Sequence, residues 1–113
     1  MDNNLILEIS GMELEKWKHL IAKMEQVFLE TGFNKQVVNG IQYLTYNHSY
    51  CKITPLAFPT GEVKFVLEWA DNINEAQNMV LEDGDLYPAD IPEDEIINML
   101  KTDLKQQIQF LHE

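Results

Sequence analysis

The sequence predicts an α+β fold over residues 1–113 as a single domain: an N-terminal amphipathic helix, an antiparallel three- to four-stranded meander, then two C-terminal helices. Three observations lead there. Leu14, Trp17, Ile21, Met24 and Phe28 recur at spacings of 3 and 4, the period of one helix face. From Lys35 to Trp69 the apolar period falls to two, the period of a strand. Ile97, Leu100, Leu104, Ile108 and Leu111 then restore the helical spacing to the end of the chain.

In chain order, Asn4 to Ile9 is short and apolar and reads as a first strand or the beginning of a helix. Gly11 separates it from the first helical stripe, which Leu20 and Val27 widen. Glu13, Glu15, Lys16, Lys18, Lys23, Glu25 and Glu30 occupy the opposite face. That is a helix of about five turns, ended by Thr31-Gly32, where glycine adopts a left-handed C-terminal cap at least cost. Asn39-Gly40 then marks a hairpin, because both residues tolerate the positive φ of a type I′ turn. Ile41 to Tyr46 is rich in β-formers, Asn47-His48-Ser49 reads as a second turn, and Tyr50 to Thr54 as another strand. After Phe58-Pro-Thr-Gly61, Glu62 to Trp69 alternates, with Val63, Phe65, Leu67 and Trp69 on one face. Trp17 and Trp69 both fall on apolar faces and are assigned to the core. Asp71, Asn72 or Asn74 can cap a short helix through about Glu82. Asp90-Ile-Pro-Glu93 has the layout of a capping box for the last helix, with Asp90 as cap.

The totals bound the function. A chain of 113 residues has the size of one domain, and a 45% hydrophobic share is enough for an ordinary core. No apolar run is long enough to span a membrane. The start, MDNNLILEIS, lacks the basic region and apolar centre of a secretory signal. The single cysteine, Cys51, fits a reducing cytoplasm.

Charge is distributed unevenly. The net charge is −11, and Phe65 to Leu100 holds ten acids and no lysine. The other residues carry nine acids and eight lysines, which nearly cancel, and there is no arginine. Such a region repels nucleic acid and anionic membrane and attracts basic proteins or cations. Direct nucleic-acid binding is disfavoured, since the residue suited to bidentate phosphate recognition is missing.

Motifs for chemistry are sparse. As an EF-hand loop, Asp71 to Glu82 has the right ends but places Ile73 and Ala76 where an oxygen ligand and glycine are required. His48 and Cys51 lie three apart, yet a cysteine nucleophile needs a positioned base and zinc needs four ligands. The expected arrangement is a partly buried Cys51 and a surface His48. No phosphate loop, serine elbow or HExxH is present, so no catalytic residue, cofactor or metal is assigned.

That leaves Leu81 to Glu95, LEDGDLYPADIPEDE, in which seven of fifteen residues are acidic and none is basic. It reads as a proline-stiffened stretch that loses little entropy on docking. Glu82, Asp83, Asp85, Asp90, Asp94 and Glu95 would attract a cationic partner, and Tyr87 would supply contact area at its centre. The alternative is that Leu86, Tyr87 and Ile91 tuck under the sheet and only the acids face water.

A short acidic α+β chain in which VLEWA, DNINEA and LEDGDLYP precede a capped terminal helix resembles the small immunity proteins of bacterial polymorphic toxin and contact-dependent inhibition systems. The resemblance covers most of the chain in layout and Leu67 to Pro88 in sequence. It implies function by binding: occupation of the active site or substrate groove of a cognate basic toxin, a nuclease among them, without chemistry of its own. A general acidic interaction module or regulatory adaptor is the alternative reading of the same charge.

Overall fold

The computed structural model describes residues 6–111. Asn4 and Leu5 of the expected first strand, and His112, lie outside them. Ten elements follow in order: β1 (Leu7–Glu8), α1 (Met12–Glu15), α2 (Lys18–Thr31), β2 (Asn34–Val38), β3 (Ile41–Tyr46), β4 (Ser49–Ala57), β5 (Val63–Ala70), α3 (Ile73–Gln77), β6 (Glu82–Pro88) and α4 (Glu93–Leu111). The α+β class holds. The sheet is larger than the expected meander, with six antiparallel strands in the order β2-β3-β4-β5-β6 and β1 added against the end of β4.

Local chemistry explains most boundaries. Asn39 (φ 51°) and Gly40 (φ 81°) both take positive φ, as the type I′ hairpin between β2 and β3 requires. Gly32 ends α2 at φ 111°, and the Phe33 N–H reaches back to the Phe28 carbonyl at 3.0 Å, the six-to-one bond of a Schellman cap. Asn72 caps α3, its side-chain oxygen accepting from the Glu75 N–H at 2.9 Å.

Three expectations need correction. The first helix is not continuous: it breaks at Lys16–Trp17, where Trp17 takes φ −106°, ψ −5°, and its ring meets Phe65 edge-on at 5.7 Å. The helix expected through Glu82 stops at Gln77, because Met79 adopts φ 56°, which a right-handed helix cannot continue. The acidic stretch is not simply a loop, because Glu82–Pro88 pairs with β5 as an edge strand. Acids, glycine and proline disfavour strands, but the strongly alternating β5 offers backbone partners that outweigh this.

The core lies between one sheet face and α2 with α4. Met24 and Phe28 of α2, Leu44, Cys51, Phe65, Leu67 and Tyr87 of the sheet, and Ile96, Leu100 and Leu104 of α4 are all buried in it. On the opposite face a smaller cluster of Val38, Tyr43, Tyr50 and Ala70 packs beneath Ala76 of α3. Beside it Lys52, Thr54 and Glu68 form a polar network in which Lys52 donates to Thr54 at 3.0 Å and to Glu8 at 3.2 Å, and Thr54 donates to Glu68. No helix among the described residues is long and apolar enough to cross a membrane.

Candidate functional site

β6 and the first turn of α4 carry the excess negative charge. Their positions follow from pairing: β6 lies at the sheet edge, held on its inner side by β5 in the register Trp69↔Glu82, Phe65↔Tyr87 and Lys64↔Pro88. The register shifts by one residue between Val66 and Glu68, so that Gly84 and Asp85 together oppose Leu67. The bulge has a packing reason at Gly84. A Cβ there would lie 2.9 Å from two atoms of the Trp69 indole and 3.2 Å from the Leu67 carbonyl oxygen. Glycine lets the edge strand close onto Trp69.

Glu82, Asp83, Asp85, Asp90, Asp94 and Glu95 are all exposed, and none forms an ion pair with another described residue. Three of the other four acids of the negative third are engaged, Asp71 being the exception among the described residues. Glu68 faces Lys52 at 3.8 Å, Glu93 pairs with Lys23, and Glu75 accepts from the Asp71 N–H at 2.9 Å. The free acids do not form a compact patch. Six residue steps along β6 cover about 20 Å at ~3.3 Å per residue, so they form a strip, with Glu82 and Asp83 at one end and Asp90, Asp94 and Glu95 beyond the other.

Tyr87 is corrected from a contact residue to a buried anchor. It is 1% exposed, it packs into the main core, and its hydroxyl donates to Asp103 of α4 at 2.6 Å. Burial, then the bond to the negative Asp103, holds the phenol well above its ordinary pKa, so it stays protonated. Leu86, its neighbour on the other face, remains exposed, and Ile91 is half-buried. Asp103 also acts on Asp85. Partial burial and the Asp103 charge raise the Asp85 carboxyl above its usual value of 3.8. The pair holds two like charges beside one another, and among the described residues only Asp103 of the two has a donor, the Tyr87 hydroxyl.

Asp90 does not cap α4. The helix begins at Glu93, and the Pro92 carbonyl accepts from the Glu95 and Ile96 N–H groups at 3.0 and 3.2 Å. Glu93, expected to reach back to the cap, binds Lys23 of α2 instead. Asp90 is therefore a free carboxylate at the end of the strip.

Sequence reasoning missed Asp103. A signal existed, since it lies three residues after Leu100 and one before Leu104 on the buried side of α4, where an acid needs a partner.

The other candidate constellations remain apart. Cys51 is wholly buried on β4, with burial pushing its thiol up, while His48 is exposed in the preceding turn. His48, Ser49 and Asp71 line one hollow of about 400 Å³, but no hydrogen bond joins the three. Among the described residues no group of three or more His, Cys, Asp or Glu is placed to hold a metal ion. Compared with models of protein families, with curated proteins and with solved structures, the chain finds no match.

Proposed function

We propose that this protein is an immunity or inhibitor protein, which binds and neutralises a cognate basic bacterial toxin, a nuclease being the best-suited kind, in the cytoplasm. The observation that carries the reading is the strip of unpaired carboxylates from Glu82 along β6 to Glu95 at the start of α4. A nuclease must present a cationic groove to phosphate, and a long, narrow row of fixed negative charge suits such a groove. Rigidity supports the same reading. Tyr87 fastens β6 beneath α4, so the carboxylates are held on a strand and a helix turn rather than on a free loop, and little ordering entropy is lost on docking. Asp85 adds to it, because its charge is held at a cost beside Asp103, a cost that binding a cation would relieve.

The test is growth and kinetics together. Cells expressing the toxic C-terminal region encoded beside the gene for this chain should grow only when this protein is present. Changing Asp83, Asp85, Asp94 and Glu95 together to Asn or Gln should preserve the fold and slow association at least tenfold at low salt, within the range electrostatic steering provides. The parent's association should also weaken steeply with added salt. Rescue with unaltered association kinetics in the quadruple variant would remove the acidic strip from the mechanism. Absence of rescue, with capture of a different basic protein, would leave a general interaction module.

A further inference from the structure

At the α4 end of the strip lies a groove of about 340 Å³ that the sequence gives no hint of. Trp17, Val63 and Ala89 supply its apolar lining, the Thr60–Gly61 turn closes it, and Glu62 and Asp90 bring two carboxylates to it. It forms where separate parts of the chain meet. Trp17, at the break between α1 and α2, packs at the margin of the main core against Phe65, and the Ala89 N–H bonds to the Val63 carbonyl at 2.9 Å, drawing the end of β6 onto the start of β5. The groove is thus continuous with the acidic strip through Asp90.

We infer that this groove receives an arginine side chain from the basic partner, its guanidinium and stem stacked on Trp17 and its charge shared between Asp90 and Glu62. The inference rests on the binding reading above and specifies how the partner is held. The shape suits a flat cation, because an aromatic wall favours a planar guanidinium over a compact ammonium, and carboxylates accept its paired N–H groups. Asp90 is free to do so, having neither a capping role nor an ion partner. Glu62 has Lys64 at 3.7 Å, an open pair that an incoming guanidinium can share. A second observation points to a peptide rather than a lone cation. The Trp17 indole N–H is covered from solvent and has no acceptor among the described residues. A buried donor left in that state is costly, and a docking segment brings backbone carbonyls with its side chain. The ring would have to turn away from its edge-on contact with Phe65 to present the N–H to one of them.

The experiment uses the ¹⁵N-labelled chain and three capped peptides, acetyl-Gly-Arg-Gly-amide and its lysine and citrulline counterparts, at low salt. The arginine peptide should shift the Trp17 indole signal and the Gly61 and Asp90 amides. Lysine should bind more weakly, and citrulline, the neutral isostere of arginine, should leave the signals unmoved. Glu62→Gln with Asp90→Asn should weaken arginine binding about fivefold or more, the effect of losing two partly solvated ion pairs, with the remaining spectrum unchanged. Equal shifts with citrulline overturn the cationic site. Shifts confined to Glu82, Asp83 and Asp85 overturn the groove while leaving the acidic strip as the binding surface. Silence in both regions overturns the two together.

Discussion

The two edges of the sheet are finished differently. β2 presents Asn34, Lys35, Gln36 and Val37 to solvent with a single positive charge, whereas β6 presents Glu82, Asp83 and Asp85, with a bulge in its pairing. Both finishes blunt an exposed edge, since polar side chains and bulges discourage pairing with another chain. One lysine suffices at β2. Edge protection therefore accounts for charge on β6 but not for its uniform sign, nor for its continuation through Asp90 to Asp94 and Glu95 away from the strand. The difference separates an edge whose finish protection alone explains from one whose uniform charge suits the partner-binding role proposed above.

If β6 is a fastened platform, the largest effect should come from releasing it. Tyr87→Ala should cost about 3–5 kcal/mol in urea unfolding, the range for emptying a buried aromatic site. A loss under about 1 kcal/mol would show that the edge is not tethered there. Tyr87→Phe keeps the ring and removes the bond to Asp103, for about 1.5–3 kcal/mol near neutral pH. Its pH dependence follows from the raised phenol. Above the ordinary value of 10.0 the unfolded tyrosine ionises while the folded one does not, so parent stability falls as pH rises. The gap between parent and Tyr87→Phe should therefore narrow between pH 9 and 11, as measured by urea midpoints at each pH.

A smaller loss is expected at the bulge. Gly84→Ala drives a methyl against Trp69 and should cost about 1–3 kcal/mol, part of it recovered when Trp69 is changed to Phe in the same chain. The smallest effects test the contrast of the edges directly. Asp85→Asn removes a charge that the fold holds unfavourably, so it should stabilise the protein near neutrality by less than about 1 kcal/mol at this exposed site. The gain should vanish as pH falls to 3.8 and below, where the parent carboxyl is protonated in both states. Lys35→Gln on β2 should change stability by no more than about 0.5 kcal/mol and leave partner association unaltered.

How far these features were legible follows from which forces set them. Asn39-Gly40, Gly32 and Asn72 did what their local backbone preferences dictate, and the apolar stripe of α4 needed only its period. The strand character of Glu82–Pro88 was hidden because its residues disfavour strands and only pairing with β5 makes it one. Leu86 and Tyr87, adjacent and both apolar, point to opposite faces, and nothing local tells which will lie under α4. The acids themselves were visible as composition, but their division into paired Glu68 and Glu93 and unpaired Asp90, Asp94 and Glu95 depends on lysines distant in sequence. The groove at Trp17 was hidden for the same reason, being assembled from three separate segments.

Cys51 offers a consequence of a practical kind. It is the chain's one thiol, it sits wholly buried on the central strand β4, and burial keeps it protonated. Thiol reagents attack the thiolate, so modification must wait until the sheet opens. The native chain thus carries its own clock. The rate at which a maleimide captures Cys51 reads the fraction of molecules open, with no label added to disturb the surface. A bound partner that favours the closed state slows that clock in proportion to its occupancy, so one cysteine at the centre of the sheet can report binding at the edge.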